Sequence, residues 1–342
     1  MTTVHADRIS PVGVSRRRFL GAAASLAAGL ALPGTAAARP DRKRVLRVAH
    51  LTDAHIQPEL RAGEGVTACL KHVNGLKEKP DLILTGGDHV MDAFAQKRER
   101  TALQWDLWKK VLAGENGIPT RGCIGNHDIW GWSKKKSDAT GDEPDYGKKW
   151  AVEALGLKNR YYSFSQAGWH FIALDSVQPG AKEGVYSAYL DEEQLAWLKK
   201  ELAGVAATTP VLVWSHVPIV SAWPMLKKRQ EATGEMTVSA GLCHTDAGDL
   251  VELFAKHPNV KACLSGHLHL VDHVRIKGVN FHCNGAVSGN WWKGKLLGFD
   301  EGYTIVDLYD DGSYTNEYVP YQPVEKGATI WPWSASKGVS TG

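Results

Sequence analysis

The chain has 342 residues, with 40 Lys and Arg against 37 Asp and Glu, and 43% apolar against 23% charged side chains. That balance excludes an intrinsically disordered chain, because there is enough apolar surface to fill a core. Residues 1–38 hold four arginines and one aspartate, so the rest of the chain is formally neutral, which argues against a protein that grips nucleic acid by neutralising its phosphates.

The first segment reads as an export signal. Ser15-Arg16-Arg17-Arg18-Phe19-Leu20 has the form of a twin-arginine motif, an Ala- and Gly-rich apolar stretch follows over 21–32, and Ala36-Ala37-Ala38 is a small-residue cleavage pattern. No apolar run reaches the ~18–20 residues of a membrane-spanning helix. The expectation is therefore a periplasmic or secreted protein handled by the twin-arginine export machinery, without a stable membrane anchor.

From residue 45 onward, apolar strands at 45–51, 82–85 and 121–124 alternate with amphipathic helices at 66–77 and 94–112. This order implies parallel pairing with right-handed crossovers. Residues 130–149 read as a polar loop leading into a helix at 146–155, and runs at 161–165 and 169–174 flank Gln166-Ala167-Gly168 as a hairpin. The clearest helix covers 191–204: Asp191 and Gln194 make a capping-box pair, Leu195, Leu198 and Leu202 line one side, and Gly204 ends it. A strand at 211–214 and a helix at 246–256 precede strands at 260–264, 271–276, 279–283, 303–309 and 314–319. Late strands added to an alternating first half predict one domain over 39–325, built of two facing sheets with helices outside, followed by a tail over 326–342. The cysteines, Cys69, Cys123, Cys243, Cys263 and Cys283, are odd in number and form no C-x-x-C pair, so neither a zinc knuckle nor a redox dithiol is expected.

Five segments repeat one design, in which an apolar strand ends and a metal-capable side chain follows at once. They are Leu51-Thr52-Asp53-Ala54-His55, Gly86-Gly87-Asp88-His89, Gly125-Asn126-His127-Asp128, Ser215-His216-Val217-Pro218 and Gly266-His267-Leu268-His269. Ligands of α/β sheets gather beyond the carboxyl ends of the strands, so these segments should converge although more than 200 residues separate the first from the last. Each alone has an ordinary structural explanation. Together, each at a strand end, they point to a metal site.

The set resembles the calcineurin-like metallophosphoesterases, whose pattern is D-x-H, G-D, G-N-H-[DE], H and G-H-x-H, over about residues 45–285. The resemblance implies a four-layer α/β/β/α sandwich of two mixed sheets flanked by helices. It implies two transition metal ions, Mn, Fe or Zn, the first held by Asp53, His55, Asp88 and His269 and the second by Asp88, Asn126, His216 and His267. It also implies that a hydroxide bridging the metals attacks phosphorus. His127 would stabilise the phosphoryl group or protonate the leaving oxygen, with Asp128 orienting its imidazole. Two departures matter: Met91 stands where purple acid phosphatases carry a metal-binding tyrosine, and Asp92 falls one place late for the G-D-x-x-D of many bacterial cyclic-nucleotide phosphodiesterases.

Aromatic residues follow the ligand segments: Trp130 and Trp132, then Trp223, then Trp291 and Trp292. Of these, Trp130, Trp223 and Trp291 are expected to meet substrate, since an indole face can stack on a base or sugar. The reading is thus an exported hydrolase of phosphate esters, a phosphodiesterase or phosphomonoesterase acting on small organic phosphates such as nucleotides. A ligand-recognition module without turnover and a nuclease of the same family are the alternatives, and no nucleic-acid partner is expected of a neutral body.

Overall fold

Alternation along β1 (Arg44–Leu51) sets out the architecture in miniature: Leu46 and Val48 enter one core, Ala49 and Leu51 another. The computed structural model describes residues 42–226 and 233–321, so the export segment over 1–38 and the tail over 326–342 lie outside the described residues. In chain order there follow α1 (Ala62–Gly75), β2 (Leu82–Thr85), α2 (Arg98–Glu115), β3 (Thr120–Gly122), α3 (Lys134–Ser137) and α4 (Lys148–Ala154). Next come β4 (Tyr162–Gln166), β5 (Trp169–Ala173), β6 (Val177–Pro179), β7 (Tyr186–Ala188), α5 (Glu192–Gly204), β8 (Val211–Trp214) and α6 (Ala247–Ala255). The described chain closes with β9 (Val260–Ser265), β10 (Asp272–Ile276), β11 (Val279–Cys283), β12 (Gly302–Tyr309) and β13 (Tyr314–Pro320).

Two mixed sheets result, in the strand orders β13-β12-β1-β2-β3 and β10-β11-β9-β8-β5-β4. The pairs β1–β2 and β2–β3 are parallel, as the alternating first half predicts, while β12 joins β1 antiparallel. Leu46, Val48 and Leu84 meet Phe171, Leu212 and Leu264 between the sheets. Helix α1 buries Val66, Cys69, Leu70 and Val73 at i, i+3, i+4 and i+7 against the outer face of the first sheet, together with Trp105 and Trp108 of α2. Burial of each large aliphatic side chain there contributes roughly 1.5–3 kcal/mol relative to exposure. Leu198 and Leu202 of α5 and Leu250 and Phe254 of α6 cover the second sheet in the same way. Helix, sheet, sheet, helix is the four-layer sandwich that the sequence implies.

Local differences have local causes. The helix expected from residue 94 starts at Arg98, because Asp92 takes the Ala95 N–H and the Gln96 amide, while Gln104 bonds both backbone groups of Asp92. Asp191 caps α5 by accepting the Gln194 N–H at 2.9 Å, a bond worth ~1 kcal/mol. The Gln194 side chain does not complete a capping box, since its amide is spent on the backbone of Asp175. The β6–β7 ribbon has no signal in the sequence: each strand is three residues long and one ends in proline. Four of the five cysteines, Cys69, Cys123, Cys263 and Cys283, are buried.

Candidate metal centre

The carboxyl ends of β1, β2, β8 and β9 deliver Asp53 and His55, Asp88, His216, and His267 and His269 to one place. A 3₁₀ turn after β3, Asn126–Asp128, adds Asn126 and His127. Three donor groups interlock: Asp53, His55 and His269; His55, Asp88 and His127; Asp88, His216 and His267. Asp88 Oδ2 lies 3.1 Å from His216 Nε2 and 3.6 Å from His55 Nε2, so its carboxylate faces both sides. His269 Nε2 is 3.0 Å from His55 Nε2 and 3.3 Å from Asp53 Oδ1. Asn126 Oδ1 sits 3.0 Å from His216 Nε2, and His267 turns Nδ1 toward the same nitrogen at 3.2 Å.

The loops reach this density by backbone conformations that side chains rarely adopt. Asp53, His55, Asp88, His267 and His269 all have left-handed φ, between 42° and 70°, at a cost of order 1–3 kcal/mol each that the surrounding structure must offset. Two glycines supply room: a Cβ on Gly125 would lie 2.2 Å from Asp88 Oδ1, and one on Gly266 1.9 Å from Thr52 Oγ1.

Electrostatics favours a cation. Burial alone would raise Asp53 and Asp88, yet the adjacent His269 and His216 hold the two carboxyls well below the ordinary carboxylate range. Burial pushes His55 well down and His267 to about 3, which leaves both imidazoles neutral with a lone pair to offer. Burial also acts to lower His216, but Asp88 outweighs it and lifts the ring to about 9, a proton that a metal ion would displace. Two of the four rings are anchored by their other nitrogen: His216 Nδ1 donates to the Gly86 carbonyl at 2.8 Å, and His269 Nδ1 to that of Gly289. Such bonds fix the tautomer that directs Nε2 inward. Two carboxylates, one amide oxygen and four imidazoles form a donor set suited to Mn, Fe or Zn. The residues fit the group that the sequence implies.

Three expectations need correction. Asp128 does not orient His127. Its carboxylate accepts the N–H groups of Gly125, Asp88 and His89 at 2.8, 3.0 and 2.8 Å, and the His89 ring at 2.9 Å. His127 Nδ1 instead donates to the Met91 carbonyl, and its N–H bonds Asp88 Oδ1 at 2.8 Å. Trp130 is not on a rim: it is 2% exposed, donates its indole N–H to the Gln96 carbonyl and packs edge-on against Trp150. Trp223 lies half-buried in a separate small cluster with Leu268, Leu270 and Cys283, so it backs the ligand turn instead of lining the centre. Trp291 does reach it, with ring centroids 4.3 Å from His269 and 5.9 Å from His55.

On the opposite side stands Tyr186, from the unpredicted ribbon, edge-on to His267 at 6.2 Å and in contact with Phe94, which in turn meets Trp132. Burial and the Asp88 charge raise the Tyr186 hydroxyl pKa, keeping it a neutral donor. No motif marks Tyr186 or Phe94, and only the fold brings them here. Asp92, the displaced acid, caps its own turn and stays out of the centre.

The family model for calcineurin-like phosphoesterases matches residues 46–271. A 3′,5′-cyclic-nucleotide phosphodiesterase of Nostoc sp. is 26% identical over 306 residues, covering 85% of this chain and 99% of the relative. The 3′,5′-cyclic adenosine monophosphate phosphodiesterase CpdA of Escherichia coli is 25% identical over 66% of this chain and 70% of its own length. Among solved structures, a dimetal phosphatase from Danio rerio shares the fold with a TM-score of 0.57 at 13% identity, covering 82% of this chain and 98% of that one.

Proposed function

The chain belongs to the calcineurin-like phosphoesterase family and hydrolyses phosphate esters, and from that premise we propose that it is a dinuclear phosphodiesterase that opens 3′,5′-cyclic nucleotides. The observation that carries the two-metal reading is the position of Asp88, whose one carboxylate faces His55 on one side and His216 on the other. The near full-length match to a cyclic-nucleotide phosphodiesterase supports the substrate class. Two metal ions at this site would clamp the phosphoryl oxygens and bring the pKa of a shared water toward neutrality. Asp53, His55, Asp88 and His269 would hold one ion, and Asp88, Asn126, His216 and His267 the other. The chain's own part in the chemistry falls to His127. With Nδ1–H committed to Met91, the acid would be the imidazolium form. Its Nε2 proton passes to the departing ribose oxygen as that P–O bond breaks, leaving the neutral ring, while the attacking water gives up one proton as it adds to phosphorus. Trp291 and Tyr186, on either side, would contact the organic part of the substrate.

Metal-loaded protein incubated with 3′,5′-cyclic AMP should release 5′-AMP or 3′-AMP, and a chelator should stop it. Release of inorganic phosphate from mononucleotides with the cyclic diester untouched would replace this reading by a phosphomonoesterase. His127→Ala should keep its metals and lose roughly 10²–10⁴ in rate, less so for esters with a very acidic leaving group.

Export by the twin-arginine route belongs to the same proposal, supported by Arg16-Arg17-Arg18-Phe19-Leu20 ahead of the apolar stretch. Cell fractionation after replacing Arg16 and Arg17 with Lys should find an uncleaved precursor in the cytoplasm. Normal processing of that variant would refute the route.

A further inference from the structure

The stretch from Val287 to Trp292 follows β11 and lies beyond the residues that the family model matches. It nevertheless holds every ligand of the Asp53–His55–His269 half. Val287 N–H donates to the Thr52 carbonyl at 2.9 Å, and Ser288 N–H to the Asp53 carbonyl at 3.1 Å. The Gly289 carbonyl accepts from His269 Nδ1. The Trp292 indole N–H is shared between the carbonyls of Ala54 and His55, at 3.1 and 3.0 Å. Asp88 and His216 are held by different groups, the Asp128 carboxylate and the Gly86 carbonyl.

Trp292 is the fixed point of this stretch. Its ring rests on α1 at Gly65, where a Cβ would come within 2.0 Å of the indole. Its own backbone is left-handed, φ 65°, as is that of Trp291, φ 49°, and its N–H bonds the Ser288 carbonyl at 2.8 Å. A bulky residue keeps such a conformation only where its surroundings hold it.

We infer that Trp292 is a positioning residue that sets the metal affinity of the Asp53–His55–His269 half separately from that of the other half. The inference rests on the two-metal reading above. The carbonyls that the indole grips belong to the left-handed turn carrying His55, so releasing them frees the turn that aims this ligand. Trp292→Phe keeps an aromatic side chain and removes the N–H, together with the outer-ring atoms that lie over Gly65.

Calorimetric titration of metal-stripped protein with Mn²⁺ tests this. The unmodified protein should bind two equivalents. In Trp292→Phe one equivalent should weaken roughly 10–100-fold, the usual loss when a group supporting a ligand is removed, while the other keeps its affinity. Two unchanged equivalents, or an equal fall in both, would overturn the assignment. Absence of metal binding by the unmodified protein would remove the two-metal reading, and the positioning role with it. Hydrogen exchange on the unmodified full chain needs no variant and decides the matter if Trp292→Phe does not fold. Peptides covering 52–57 and 286–294 should gain protection together on Mn²⁺ addition, and unchanged exchange over 286–294 would overturn the inference.

Discussion

The two halves of the centre are supported in opposite ways. Around Asp88, one buried carboxylate does the work: Asp128 gathers four backbone N–H groups, including that of Val90, and the His89 ring, and it lies two residues from a ligand. Around Asp53, His55 and His269 the support is dispersed: the Gly87 and Asp88 carbonyls take the Asp53 and His55 N–H groups, and a turn 18 or more positions past the last ligand adds backbone bonds and one indole. A buried acid with five donors is an all-or-nothing support, because removing it orphans every donor at once. A run of separate bonds yields by degrees. The first kind sits inside the motif, and the second reaches beyond it.

Asp88→Asn would abolish the distinction, because both halves share that carboxylate. Metal analysis should show both occupancies reduced and turnover at background, and a variant with two metals and near-normal turnover would remove Asp88 from the shared position. Asp128→Ala should reach both halves through Asp88, and one of them further through Asn126. Four buried backbone N–H groups lose their acceptor at about 1–3 kcal/mol each, so denaturant unfolding should show a loss of several kcal/mol, with Asp88 and Asn126 misplaced. Unchanged stability would mean that water replaces the carboxylate and that the support is not all-or-nothing. Trp291→Ala should have the smallest effect. Its ring lies on His269 without a hydrogen bond to any ligand, so both metals should stay and KM for a cyclic nucleotide should rise several-fold, about the 0.5–1.5 kcal/mol of one aromatic contact. A fall in metal affinity instead would make Trp291 part of the support.

What the sequence revealed follows the same division. The convergence of the candidate ligands is legible because each segment follows an apolar strand, so strand direction gathers them. The sheets are legible because side chains alternate along β1 and helical spacing recurs along α1. Adjacency misled at two places. Asp128 follows His127 and invites a paired role, but the 3₁₀ turn carries its carboxylate inward to the Asp88 loop. Trp130 comes soon after the ligands and reads as a rim, but the Gln96 carbonyl and Trp150 draw it into the core. Tyr186 and Trp292 were out of reach for the opposite reason: their partners are distant in the chain, and no local spacing encodes them.

The register of β1 carries a consequence for how the chain is made. Its Asp53-bearing strand is paired on one side by β2 and on the other by β12, from Arg44 opposite Tyr309 to His50 opposite Thr304. During synthesis on the ribosome that second edge stays open until nearly the last described strand has emerged, which makes β1 the slow, long-range step of assembly. A product cut after residue 271 would keep every ligand yet present β1 with a bare row of backbone donors and acceptors, an edge ready to pair with another chain. The stretch that identifies the family is therefore shorter than the unit that completes the first sheet.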